Sequence, residues 1–183
     1  LSVVTLQSCA VPEQNPCFEL HFSPMYASVY RQDLAGQLSR MPKRDPDLIA
    51  HFAMVRARGI AIMGKKTEQL FAPIPREWIL DYLQAEMGDT VIPVNENLVY
   101  YVLNACRALA FLEKNELLSK QEGGEWGIQY FPEKYTSLLK AALAAYGGGP
   151  TVRTADYPIP EFWSEVKNRW QKGRDSDRGS VWA

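Results

Sequence analysis

Residues 119–126 read Ser119-Lys120-Gln121-Glu122-Gly123-Gly124-Glu125-Trp126. Ser119 with Glu122 three residues later is a capping-box pattern, in which each side chain satisfies an orphan backbone N–H of a first helical turn. A helix should therefore open at Ser119, and such a cap contributes about 1 kcal/mol. Gly123 and Gly124 then fall inside the first two turns, where each glycine costs about 1 kcal/mol relative to alanine. A helix that carries two glycines there lets something approach its backbone closely, either another helix or a ligand. Glu122 and Glu125 share a face, and Trp126 lies one turn on from Glu122.

Helical signals continue on both sides. Pro73 and Pro75 introduce a helix over Arg76–Met87. Asn95 or Asn97 can cap a long helix reaching about Leu117. Its residues Leu98, Val102, Leu103, Cys106, Leu109 and Leu112 make it apolar on most sides, so it should sit centrally. Tyr100, Asn104 and Arg107 form one stripe of that helix. Pro132 begins another helix that ends at Gly147-Gly-Gly-Pro150, and Pro158 or Pro160 begins a last one with Phe162, Val166 and Trp170 on one side. Short connections predict antiparallel neighbours and a four- or five-helix up-and-down bundle over residues 76–172. The charged stretch 173–183 reads as a mobile tail.

The first 75 residues have a mixed texture. Leu1–Gln7 is a β-branched run, and Phe18–Phe22 alternates as a second strand does. Asp45-Pro46 reads as a helix start, with Leu48, Ile49, Phe52 and Ala53 on one face up to Gly59. Ile60–Met63 reads as a short strand. The fold class is thus α+β, predominantly α. A strand–helix–strand remnant alone exposes a sheet edge, which a missing segment or a second copy of the chain would cover.

Composition narrows the function classes. The 183 residues carry a formal net charge of −1, which disfavours nucleic acid as a partner. No apolar run approaches membrane-spanning length. Without metal-ligand spacing, Cys9, Cys17 and Cys106 read as inert thiols of a reducing, cytoplasmic compartment. His21 and His51 are isolated and read as structural or surface histidines rather than ligands. The acidic group Glu113, Glu116, Glu122 and Glu125 is either a solvated face or suited to a cationic ligand.

The run from Tyr100 through LLSKQEGGEWGIQYFPEKYTSLLKAALAAY to Tyr146 resembles the C-terminal helical domain of the aminoglycoside nucleotidyltransferases, in particular the streptomycin/spectinomycin adenylyltransferases. The resemblance extends through Phe18-Glu-Leu-His-Phe22, Asp45-Pro-Asp-Leu48 and the Gly64 to Pro75 segment, and so covers roughly residues 1–150. It implies that residues 1–75 close a nucleotidyltransferase α/β domain and that the helices bind substrate. The family's Gly-Ser loop and Asp-x-Asp pair do not occur here, and its strand glutamate, the general base, would fall just before Leu1. The chain thus reads as a fragment, catalytically inactive alone, with no catalytic residue and no metal ligand in view.

Family members transfer AMP from ATP, with magnesium, to a hydroxyl of an aminocyclitol drug. By this resemblance Glu125 meets the drug, a cationic, hydroxyl-bearing small molecule. Gln121 stands where some streptomycin-modifying relatives have a second acid, and Glu122 is adjacent but points elsewhere on the helix. Trp126 is either core or a ligand platform, and Tyr26 lies near a family position for a stacking aromatic. Lys134 would reach nucleotide phosphates. Arg107 would face phosphates, orient Glu125, or satisfy groups within the bundle. Two alternatives stand beside this reading. One is a non-catalytic helical interaction module, though the Arg-x5-His motif of ribonuclease-type partners is absent. The other is a nucleotidyltransferase acting on a non-antibiotic hydroxyl compound.

Overall fold

The computed structural model describes residues 1–24, 27–40, 43–87 and 97–179. The fold is mainly α with a small β component, and it divides into two compact units, Leu1–Tyr82 and Leu83–Ala183.

In the first unit, β1 (Ser2–Val3) pairs antiparallel with β2 (Leu20–His21), Ser2 facing His21 and Val3 facing Leu20. The strand expected over Leu1–Gln7 stops early because Thr5 caps a helix instead, its hydroxyl accepting from Ser8 N at 3.0 Å. That helix, α1, spans Leu6–Ala10. Two further short helices follow, α2 (Ala27–Gln32) and α3 (Leu34–Arg40), and the Asp33 carboxylate accepts from Gly36 N at 2.8 Å at the head of α3. The next helix, α4, covers Leu48–Arg58, and Asp45 Oδ1 accepts from Asp47 N at 3.0 Å in the turn before it. Gly59 ends it, as the sequence suggests.

Its buried face places Leu48 and Phe52 on Phe18, flanked by Val4, Phe71 and Ile74. Arg56 donates from Nη1 to the carbonyls of Glu68 and Phe71 at 2.5 Å each, tying the end of α4 to α5 (Thr67–Leu70). Ile60–Met63 is not the strand its composition suggests. The segment is a bent loop with Ile60 89%, Ile62 98% and Met63 92% exposed. β-propensity expresses packing against a neighbouring strand, and among the described residues none pairs with it.

Helix α6 occupies Arg76–Met87, as its two prolines predict, and crosses the division between the units. The second unit is built around α7 (Leu98–Lys114), in which Val102, Leu103, Asn104, Ala105, Cys106, Ala108, Leu109 and Ala110 are fully buried. This helix ends earlier than expected because Asn115 turns left-handed, at φ 56°. It is followed by α8 (Lys120–Tyr130), α9 (Thr136–Tyr146) and α10 (Ile159–Gly179). The last of these extends through most of the stretch read as a tail, with Gln171 Nε2 bonded to Asp175 Oδ1 at 2.9 Å, one turn on.

The antiparallel expectation fails for α7 and α8. Lys120 lies over the Tyr100 ring, Gly123 abuts Arg107, and Lys114 lies over Tyr130, so contacts climb in the same sense along both helices. Residues 115–119 run back along α7 before α8 begins. The α8–α9 pair is antiparallel, Gly124 meeting Leu143 and Gly127 meeting Leu139.

Candidate functional site

The capping box is formed: Glu122 N donates to Ser119 Oγ at 3.2 Å, and Ser119 N donates to Glu122 Oε2 at 2.8 Å. Glu122 is thereby committed to the helix start. The glycines beyond it admit neighbouring helices. A Cβ at Gly123 would lie 2.6 Å from Arg107 Cγ, one at Gly124 2.5 Å from Leu143 Cδ2, and one at Gly127 2.7 Å from Cys106 Sγ. Between the two readings of this glycine pair, close helix approach is what the packing shows.

With one side of α8 pressed into the bundle, Gln121 and Glu125 are exposed. They are one turn apart, and Gln121 Nε2 donates to Glu125 Oε1 at 3.1 Å. The bond restricts the carboxylate to one region of the surface and leaves its charge uncancelled, since the amide is neutral. An outward carboxylate on a rigid helix can take an ammonium group or accept from hydroxyls.

Trp126 points the other way. It is 5% exposed, stacks on Tyr130 with centroids 4.9 Å apart, and meets Phe131 edge-on at 6.3 Å. Its position is that of a core residue beside the site. Arg169 of α10, which sequence reading missed, organises this aromatic group. Its guanidinium carbon stands 5.4 Å from the Trp126 centroid and 4.6 Å from that of Phe131. The same guanidinium makes two bonds to Glu113, at 2.8 and 2.7 Å, and one to the Tyr130 carbonyl at 3.2 Å. Such a fork joins α7, α8 and α10.

Arg107 donates through Nε to the Leu118 carbonyl at 2.7 Å and through Nη1 to Asn104 Oδ1 at 2.9 Å. Of its expected roles, the internal one matches these bonds. Lys134 is exposed in the short turn Glu133–Tyr135, its ammonium 4.9 Å from the Tyr135 centroid. Tyr26 lies outside the described residues. Cys106 is fully enclosed, and burial pushes its thiol up to about 12. Among the described residues, no three His, Cys, Asp or Glu side chains converge as metal ligands would, and no helix is long and apolar enough to cross a membrane.

The fold is that of a helical unit following a small α+β unit. The model of the family described as aminoglycoside adenylyltransferase, C-terminal domain, matches residues 69–168, and the chain belongs to that family. In three dimensions it is similar to the crystal structure of spectinomycin adenyltransferase AAD(9) from Enterococcus faecialis with ATP and spectinomycin. The TM-score is 0.67 at 16% identity, with 93% of this chain and 67% of that chain covered. At that identity the likeness is one of fold. No curated protein matches the sequence significantly.

Proposed function

We propose that this chain supplies the substrate-binding helices of a nucleotidyltransferase that moves AMP from ATP to a hydroxyl of a cationic aminocyclitol such as spectinomycin. The observation that carries this reading is the construction of α8. Three glycines fix one side against α7 and α9, while Glu125 and Gln121 stand outward as a bonded pair. Residues 1–75 then close the α/β domain, and residues 76–172 hold the acceptor. Family membership supports the adenylyltransferase class.

In such a transfer the acceptor oxygen forms a bond to the α-phosphorus as pyrophosphate leaves, and positioning supplies much of the rate. ATP brings the adenylyl group, and magnesium would offset phosphate charge. Glu125 accepts from an ammonium or hydroxyl group of the acceptor. Gln121 orients that carboxylate, and Lys134, exposed on the same unit, offers a cation to phosphate. Each charge-assisted bond is worth about 1.5–3 kcal/mol before losses to solvent. Glu125→Ala should therefore weaken spectinomycin binding about tenfold or more, measured by calorimetric titration. Its thermal midpoint should barely move, because the residue is exposed. Unchanged affinity contradicts the proposal.

A further inference from the structure

The last turn of α8 is held differently from the turns before it. Close approach at Gly123, Gly124 and Gly127 sets how near the helix lies to α7 and α9. Residues 128–130 carry no glycine, and the final carbonyls of a helix have no partner within it. The Tyr130 carbonyl instead accepts from Arg169 Nη1 at 3.2 Å, so a cation supplied by α10 closes the C-terminus of α8.

Trp126, one turn earlier, depends on the same cation. Its indole N–H is buried without an acceptor among the described residues, so no hydrogen bond orients the ring. Ring contacts orient it instead, Tyr130 stacked at 4.9 Å and the Arg169 guanidinium at 5.4 Å. Arg169 is itself fixed. Its side chain is 18% exposed and makes the two-bond fork to Glu113 near the end of α7. Glu125 directly precedes Trp126, so a rotation of α8 that moves the ring swings the carboxylate through the same angle. A side-chain head lies about 6 Å from the helix axis, and a rotation of about 10° shifts it by about 1 Å. In a reacting constellation a misplacement of about 1 Å can cost about a hundredfold, which bounds the effect from above.

We infer that Arg169 is a positioning residue for the acceptor, setting the direction of the Glu125 carboxylate through Trp126 and the last turn of α8. Glu113 belongs to the same device, because its fork keeps the guanidinium over the ring. This role rests on the proposed function, since the direction of Glu125 matters only if Glu125 meets the acceptor.

The test is calorimetric titration of spectinomycin into variants that circular dichroism shows to be fully folded at the titration temperature. Arg169→Met should weaken binding about tenfold and Glu113→Gln a few-fold. Arg169→Lys keeps the charge without the fork and should stay close to Arg169→Met. In a Glu125→Ala background Arg169→Met should cause no further loss, because the group it directs is gone; a merely structural role predicts no such coupling. Arg153→Met removes an exposed ion pair of the same unit and should leave affinity unchanged. If Arg169→Met does not fold, Glu113→Gln and Arg169→Lys carry the same comparison. Folded variants that bind spectinomycin as the unmodified chain does, while Glu125→Ala binds weakly, refute the positioning role and leave the proposed function standing. A loss that persists undiminished in the Glu125→Ala background refutes it as well. If Glu125→Ala has no effect, or the unmodified chain shows no saturable binding, both are refuted.

Discussion

Replacing Gly127 by alanine sets two opposing effects against each other, and the structure says which should win. Helix propensity alone favours alanine by about 1 kcal/mol. At this site, however, the new Cβ would lie 2.7 Å from Cys106 Sγ and 3.2 Å from Leu139 Cδ2. Cys106 and Leu139 are fully buried, so neither can swing into solvent. Overpacking of this kind costs about 1–3 kcal/mol, occasionally more. The overlap with sulfur approaches an ångström, which puts the cost in the upper part of that range. The net expectation is destabilisation of about 1–2 kcal/mol, or a fall in melting temperature of about 3–6 °C for a chain of this size. Circular dichroism during thermal and urea unfolding measures it. Cys106→Ala in the same background removes the sulfur and should recover most of the loss, giving a coupling energy near 1 kcal/mol in a double-mutant cycle. A Gly127→Ala variant more stable than the parent would mean that α8 does not lie against α7 as described.

Four further outcomes are expected. Arg169→Met should cost about 2–4 kcal/mol, because it strands the Glu113 carboxylate and the Tyr130 carbonyl; Arg169→Lys should recover little, since a single ammonium cannot reproduce the fork. Urea titration of both variants decides this. Ser119→Ala should cost about 1 kcal/mol by the same measurement, through loss of the capping box. Cys106 should resist iodoacetamide at pH 8 in the folded chain and react once urea unfolds it, which mass spectrometry reads directly. Because burial holds that thiol protonated up to about pH 12, against an ordinary value of 9.0, the folded form binds this proton more tightly than the unfolded form. Its contribution to stability is complete below pH 9 and is lost as pH rises towards 12, and Cys106→Ala should flatten that alkaline decline.

How much of this was visible in the sequence varies by element, for physical reasons. The helices α6 and α8 begin where Pro75 and Ser119 place them, because proline and a capping box are local signals with a single structural meaning. The early end of α7 turns on one left-handed asparagine, which sequence only weakly marks. The short helices α1, α2, α3 and α5 escaped notice, since four to seven residues are too few to show a helical period. Ile60–Met63 has strand composition, but a strand is completed by its neighbour.

At the candidate site, the i, i+4 pair Gln121 and Glu125 was readable, and so was the stripe of Tyr100, Asn104 and Arg107. Their partners were not. Glu86 lies 18 residues from Asn104, and Glu113 lies 56 residues from Arg169. Arg169 sits among the charges of α10, where it looks like part of a solvated face until the fold brings Trp126 and Phe131 beneath it.

The central claim is that α8 presents Glu125 to a cationic aminocyclitol. A crystal structure of this chain soaked with spectinomycin tests it most directly. The account predicts the drug against the exposed side of α8, with an ammonium or hydroxyl group within hydrogen-bonding distance of the Glu125 carboxylate. Spectinomycin bound elsewhere on the chain, with Glu125 still paired only to Gln121, would contradict it.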